Sequence, residues 1–458
     1  MKKDPDRQRR LLEGPVGPTL IRLTLPMMVG IAAILFFNIV DTFWVGQLGP
    51  HELAAMGFTF PVAMVVTNLT IGIGIGSTAV IARAIGKGEE GRVKRLTTDS
   101  LILAVSLVVT VSAIGIATLD PLFTLLGADA ETLPLIREYM VPWYAGVGLL
   151  VIPMVGNGAI RASGDTKTPS FVMVAAGLTN ALLDPLLIFG WGPIPAMGLR
   201  GAAFATVGSY TIAMAVAFYV LGKREHMLSF ELPKLEDTLA SWRAILRIGV
   251  PAAGTNLLTP LAAGAVTRLV SDYGPHAVAA FGVGTRVEGL SMIGVFAMTA
   301  AITPFVGQNL GAGKGERIRE TLRFVIKLSL FWGFGAALLL AAVADPIARV
   351  FNDDPEVVAQ TTLFLRTVPI SYAAFGVALL VASVFNALDQ PLKATVLAAI
   401  RLVLLAIPLA WLGSELYDLT GLFLGIAAAN LISGAIAGLY ARREVREVAA
   451  DLSPAPAR

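Results

Sequence analysis

Strongly apolar runs of eighteen or more residues recur from one end of the chain to the other, with short polar clusters between them. A run of that length matches the roughly 30 Å hydrocarbon core of a bilayer at 1.5 Å per helical residue, so each predicts a membrane-crossing helix rather than a buried soluble one. The pattern predicts twelve such helices, over 19–46, 54–82, 97–119, 133–161, 169–190, 198–222, 244–270, 277–306, 322–344, 358–385, 393–413 and 420–441. The expected fold class is all-α and integral to a membrane.

The polar connections alternate in charge. The one after the second helix carries Arg83, Lys87, Arg92, Lys94 and Arg95, and the one after the eighth carries Lys314, Arg317, Arg319 and Arg323. Such basic connections stay on the cytoplasmic side. The alternate connections carry Glu52, then Asp120, Asp129 and Glu131, then Asp345, Asp353, Asp354 and Glu356, then Glu415 and Asp418, with Arg349 the main basic exception. They are expected outside. Lys2, Lys3, Arg7, Arg9 and Arg10 at the N-terminus, Lys223, Arg224 and Lys234 in the centre, and Arg442, Arg443 and Arg446 near the C-terminus then all fall inside. An even number of crossings agrees with that. The expectation is a multi-pass monomer in the cytoplasmic membrane of a cell, surrounded by lipid bilayer, with both ends in the cytoplasm.

An internal repeat holds one register, an offset of 225: Gly49-Pro50-His51, Ala54-Ala55 and Gly57 map onto Gly274-Pro275-His276, Ala279-Ala280 and Gly282. The same offset takes Pro26 to Pro251, Gly86 and Gly88 to Gly311 and Gly313, Arg92 to Arg317, Asp120-Pro121 to Asp345-Pro346, and Glu131 to Glu356. Six crossings per repeat make both halves enter from the same side, which implies a pseudo-two-fold axis along the membrane normal and a ligand site that rocking lobes expose to either face in turn. The expected division is an N-lobe over 1–222, a cytoplasmic linker over 223–243, a C-lobe over 244–441 and a cytoplasmic tail over 442–458.

Composition narrows the function. The 458 residues are 55% hydrophobic and 15% charged, with 46 glycines and 26 prolines, and the mean hydropathy is +0.74. Glycine and proline at that level suit close packing and broken helices in a membrane. There is no cysteine, which excludes disulfides and thiolate metal sites. The net charge of +3 does not point to nucleic acid, because the cations sit beside helix ends where membrane orientation explains them. The stretch Thr19 to Gly46 is too long for a signal-peptide core and is read as a retained first helix. No zinc motif, nucleophile elbow or P-loop is present, and His51, His226 and His276 all fall in predicted loops, so neither an enzyme nor a bound cofactor is expected.

Carboxylates inside the hydrocarbon layer are the chemistry to explain, since each costs about 2.5–3.5 kcal/mol on insertion scales unless it has a partner, a proton or water. Asp41 lies five residues before Gly46, and Asp184 six residues before Gly190, which puts both roughly 8–9 Å deep in the outer half. Asn180 shares a helix face with Asp184, and Thr206 enters from outside to a depth of roughly 12 Å. Four oxygen-bearing side chains at similar depth suit Na⁺, and two neighbouring acids suit a carried proton; the residues leave H⁺ and Na⁺ both open. The repeat maps Asp41 to Val266 and Asp184 to about Leu409, so the scaffold requires neither acid. The competing reading has each acid capping an irregular helix end or pairing with a basic side chain.

Glu288, roughly 18 Å into the eighth helix, is expected in an ion pair with Arg286 or Arg268 and is the reserve proton carrier. Pro26 could kink the helix that carries Asp41. Phe36, Phe37, Asn38, Tyr139, Asn157 and Met173 are candidates to line a substrate cavity for amphipathic organic molecules. Gly72, Gly74 and Gly76 lie inside an apolar span without a preceding strand, which favours helix packing over nucleotide binding.

The chain resembles the multidrug and toxic compound extrusion (MATE) family over essentially its whole length. The resemblance is carried by Pro26 through Asp41-Thr42, Gly46 to Gly49, Arg161-Ala162-Ser163-Gly164-Asp165, Asn180 with Asp184-Pro185, and Gly198 to Thr206. It implies two six-helix lobes and export of amphipathic, often cationic, drugs and toxic organic compounds in exchange for H⁺ or Na⁺. It also implies that Asp41, Asn180, Asp184 and Thr206 form the N-lobe cation site. The acids that another branch places in helices seven and ten have no equivalents in 244–270 or 358–385, which makes the pattern similar to the archaeal and DNA-damage-inducible-F-like branch. The rival function is a flippase for lipid-linked precursors, which would need a basic cavity for phosphates. A channel or receptor fits a repeat with asymmetric buried acids less well.

Overall fold

The computed structural model describes residues 5–231 and 234–452. Lys2 and Lys3, residues 232–233 of the linker and residues 453–458 of the tail lie outside the described residues. Among those described the chain is helical, and the one isolated β-bridge, Trp191 to Ile194, closes a turn.

The first half runs α1 (Pro5–Glu13), α2 (Val16–Gly46), α3 (Pro50–Lys87), α4 (Glu90–Ala117), α5 (Leu119–Leu125), α6 (Thr132–Ala162), α7 (Lys167–Phe189) and α8 (Gly198–Tyr219), with a π turn over Val220–Arg224. The second runs α9 (Leu235–Ser271), α10 (Pro275–Ser291), α11 (Ile293–Gly311), α12 (Gly315–Phe351), α13 (Pro355–Thr367), α14 (Tyr372–Ala387), α15 (Pro391–Ala399) and α16 (Ile407–Asp451). A 3₁₀ turn joins α13 to α14, and a π turn over Ile400–Ala406 joins α15 to α16. Short α1 and α5 are not crossings. The pairs α10 with α11, α13 with α14, and α15 with the start of α16 each make one. Within α16 the backbone leaves the helix at Tyr417 and Asp418, separating the eleventh crossing from the twelfth. Ten stretches among the described residues meet a strict length and hydropathy test, with Pro391–Asp451 counted as one. The remaining crossing is α9, whose uncharged stretch between Arg247 and Arg268 is rich in Gly, Pro and Thr. Twelve crossings among the described residues result.

Several of the repeated residues start and stop helices. Gly49 (φ 149°) and Gly274 (φ 91°) each precede a proline at the first position of a helix, where its missing N–H leaves no donor wasted. Gly88 (φ 77°) and Gly313 (φ 70°) take left-handed conformations just past the ends of α3 and α11. Those backbone angles explain why the glycines recur in register while the apolar residues between them drift.

The chain resolves into two compact units. One holds the residues up to Gln8 together with Pro26–Ala253, and the other holds Arg9–Leu25 with Gly254 onward. The chain therefore changes unit three times, each time inside a helix: between Gln8 and Arg9 in α1, between Leu25 and Pro26 in α2, and between Ala253 and Gly254 in α9. In the first unit α6 is central, against α3, α4 and α8, with α7 on α8. In the second α14 is central, against α11, α12 and α16. Both central elements are the fourth crossing of their repeat. In the first unit Gly72 and Gly76 lie so close to α9 that an added Cβ would stand 2.5 Å from the Gly249 carbonyl and 2.4 Å from that of Ile245. They serve helix packing, as small residues do in membranes. In the second unit Leu11, Val16, Leu20 and Leu23 are buried in the core with Phe305, Val306 and Ile318.

Candidate cation site and its surroundings

All four residues of the expected cation site fall in the first unit, on α2, α7 and α8. Asn180 and Asp184 are one turn apart on α7, so the Asn180 Nδ2 donates to Asp184 Oδ1 at 3.2 Å. The same amide reaches Thr206 Oγ1 at 3.5 Å. Thr206 spends its own proton on the Ala202 carbonyl at 3.0 Å, leaving its hydroxyl oxygen turned to accept. Asp184 is fully buried, and its second oxygen, Oδ2, has no hydrogen-bond donor. The Asp41 carboxyl from half-buried α2 lies beside it. Two carboxylates side by side with a bare oxygen between polar neighbours call for a shared proton or a bound cation, because unrelieved charge in a dry site is expensive.

Two tyrosines complete the surroundings. Tyr139 of α6 neighbours Asp41, Asp184 and Thr206, and Tyr210 of α8 neighbours Asp41 and Trp143. Polar residue type alone does not single out Tyr210, but its position four residues after Thr206 on the same helix face is a usable signal.

Of the expected cavity residues, Asn157 stands apart from the others. Phe37 packs onto Gly177 of α7 and meets Phe36 edge-on at 5.5 Å. Met173 reaches Gly30 of α2, and Asn38 is exposed. Asn157 is buried with an unpartnered Oδ1, but it lies eighteen residues beyond Tyr139 on α6, roughly 27 Å along the axis. Polarity alone put Asn157 with the others; helix depth separates it. Pro26 sits inside continuous α2, and its carbonyl accepts from the Ser170 hydroxyl of α7.

Glu288 has a different partner from those expected. Arg268 binds Asp272 and Ser271, and Arg286 is exposed. Two residues along a helix is about 200°, so Arg286 and Glu288 point to opposite faces of α10. Glu288 instead lies beside Tyr372 of α14 and Arg401, whose guanidinium stacks 4.7 Å over Phe375. Arg401 comes from the π turn before α16, a feature that apolar periodicity does not reveal.

The Arg161-to-Asp165 segment makes a tight structural node. Gly164 takes φ 88°, and Asp165 accepts from the Thr168 backbone N–H at 3.0 Å and the Thr168 hydroxyl at 2.7 Å, starting α7. Arg224 ion-pairs with Asp165, while Arg7 donates to Ser163 Oγ at 3.3 Å and Glu225 Oε1 at 3.4 Å. Burial pushes the Asp165 carboxyl up, but the Thr168 hydrogen bonds and the charges of Arg7 and Arg224 outweigh it and hold it below the ordinary aspartate range.

Comparison with known proteins decides the family. The MatE family model matches twice, over residues 26–186 and 251–412, and the two matches begin at the prolines related by the repeat. The chain belongs to the MatE family. Similarity to the FAD transporter of Shewanella oneidensis is 39% identity over 437 residues, 95% of this chain and 96% of that one. Similarity to the probable multidrug resistance protein NorM of Thermotoga maritima is 31% over 359 residues, 76% of this chain and 75% of that one. Among solved structures, a mutant of the Vibrio cholerae MATE transporter VcmN superposes with TM-score 0.90 at 32% identity, covering 96% of this chain and 98% of that one. MATE structures have twelve helices in two lobes, and this MatE chain shares that fold. It is a multi-pass membrane transporter of small organic molecules. The narrower resemblance to the archaeal and DNA-damage-inducible-F-like branch is not borne out: the three relatives just named carry other names and come from bacteria. Missing acids in helices seven and ten were too thin a criterion for a branch.

Proposed function

We propose that this MatE protein exports amphipathic organic compounds from the cytoplasm in exchange for H⁺ or Na⁺, and that Asp41, Asn180, Asp184 and Thr206 carry the coupling ion. The observation that carries the reading is the donorless, fully buried Oδ2 of Asp184 beside the Asp41 carboxyl. A proton bridging the acids, or Na⁺ held by the two carboxylates with the Asn180 and Thr206 oxygens, would satisfy it. Substrate in a cavity bordered by Phe37, Asn38, Tyr139 and Met173 competes with that ion, so binding from outside releases the compound outward. Bending of α2 at Pro26 transmits the change. The lobes follow the repeats, 1–222 and 244–441, with their opening segments exchanged, and are joined by a cytoplasmic linker, in a monomer of the cytoplasmic membrane with both termini inside and no nucleic-acid partner.

A second substrate reading has its own support: 39% identity over 95% of the chain to a protein named as an FAD transporter favours a flavin dinucleotide over a cationic drug. One experiment tests both. Proteoliposomes loaded with a fluorescent organic cation or with FAD receive H⁺ and Na⁺ gradients separately, using wild type and Asp41→Asn. Gradient-driven efflux lost in the variant supports the ion site, and the compound that moves names the substrate. Equal gradient-driven efflux in the variant rejects the site; no flux of either compound turns attention to lipid-linked precursors and a flippase.

A further inference from the structure

The second unit contains a cavity of about 330 Å³ between the start of α12 and the end of α16. Arg319, Arg323 and Lys327 line it from α12 at four-residue intervals, and Arg442 and Arg446 line it from α16 one turn apart. Side chains spaced by four share a helix face, so two basic ridges confront each other. No acidic side chain lines the cavity. Arg319 is paired with Glu316 at its rim, but Arg323, Lys327, Arg442 and Arg446 have no ion-pair partner among the described residues. Arg443, between two of them in sequence, faces away and pairs with Glu447 at 3.1 Å.

The position of the cavity identifies its ligand. After Lys327 the chain is uncharged until Asp345, and Arg442 ends an uncharged stretch that begins at Leu419. Lys327 and Arg442 therefore mark one edge of the hydrocarbon core. Arg319 lies eight residues further out, roughly 12 Å, which spans the headgroup layer. Ile326 and Leu330 supply an apolar floor on the hydrocarbon side of the cations. A soluble phosphate would use the cations and leave that floor idle; a lipid uses both.

We propose that this cavity binds the headgroup of an anionic phospholipid, with a two-phosphate lipid of the diphosphatidylglycerol type preferred. Two basic ridges extended over roughly 12 Å match two phosphodiesters better than one. The inference rests on the chain spanning a bilayer and is independent of the transported compound.

Native mass spectrometry of the purified full chain, titrated with diphosphatidylglycerol, phosphatidylglycerol and phosphatidylcholine, tests it. Wild type should retain the two-phosphate lipid at least about tenfold better than phosphatidylcholine, and Arg323→Gln with Arg446→Gln should lose about tenfold or more of that retention. Lys327→Gln alone should lose several-fold, and Arg443→Gln should keep it. The substituted side chains are exposed, so an unchanged thermal midpoint in lipid-free detergent verifies folding. Equal retention in the double variant overturns the site. Displacement of the lipid by inorganic pyrophosphate at comparable concentration overturns the lipid assignment in favour of a soluble diphosphate.

Discussion

Asp184 and Thr206 together offer a way to tell the two coupling ions apart. Na⁺ needs several oxygen ligands, and the Thr206 hydroxyl is turned to be one of them, its proton being committed to Ala202. A proton shared by two carboxyls needs only those carboxyls. Thr206→Val keeps the side-chain shape and removes the oxygen. Under Na⁺ coupling it should weaken the cation about tenfold, the worth of one lost polar contact in a dry site. Under H⁺ coupling the pH dependence of efflux should hardly move. Titrating efflux against external Na⁺ and against pH separates the cases. The four residues could be brought together from sequence because depth along a helix is simple arithmetic and buried acids are rare. Arg401 could not, since nothing in a linear pattern says which helices are neighbours. Asn157 is the converse case: its residue type suits the cavity, and its depth along α6 does not.

At the scale of elements, the node around Asp165 ties α1, α7 and the end of α8 into one piece. Asp165→Asn keeps one acceptor for Thr168 and loses the charge that faces Arg7 and Arg224, which should destabilise the detergent-solubilised protein by about 1–3 kcal/mol at neutral pH. A carboxyl held below its ordinary value contributes stability that is complete above the unfolded value near pH 4 and disappears as pH falls through the folded one. The gap between wild type and variant should therefore close in acid, as thermal unfolding at several pH values would reveal. Unchanged stability of the variant at pH 7 would contradict the node. Glycine and proline mark the helix starts at Gly49-Pro50 and Gly274-Pro275, a few residues before the starts at 54 and 277 that apolarity alone predicts. Interruptions inside apolar stretches, such as the π turn at Ile400–Ala406, are not legible, because every residue there suits a helix.

For the molecule as a whole, the number of crossings was readable, and the membership of the two units was not. Apolar length fixes where a helix crosses but carries no information on which neighbours it joins halfway. Ile245 and Ile248 are buried in the first unit, beyond the linker that the repeat would suggest as its end. A fragment ending at Gly222 should consequently aggregate or melt early, and extension to Ala253 should raise its thermal midpoint by roughly 5 °C or more. Fragments of equal stability would refute this division.

Two of the three places where the chain changes unit fall at nearly equivalent points of the repeat, since Pro26 maps onto Pro251 and the later change follows Ala253. The opening segment of the first repeat, Arg9–Leu25, belongs with the second unit, and the segment 225 residues later, at the start of α9, belongs with the first. Each copy lends the other its opening strap. One repeat taken alone would lack the opening segment that completes its unit. The same reciprocity leaves each half dependent on the other, and recombination between relatives should succeed where it trades halves with their straps and fail where it cuts at the linker.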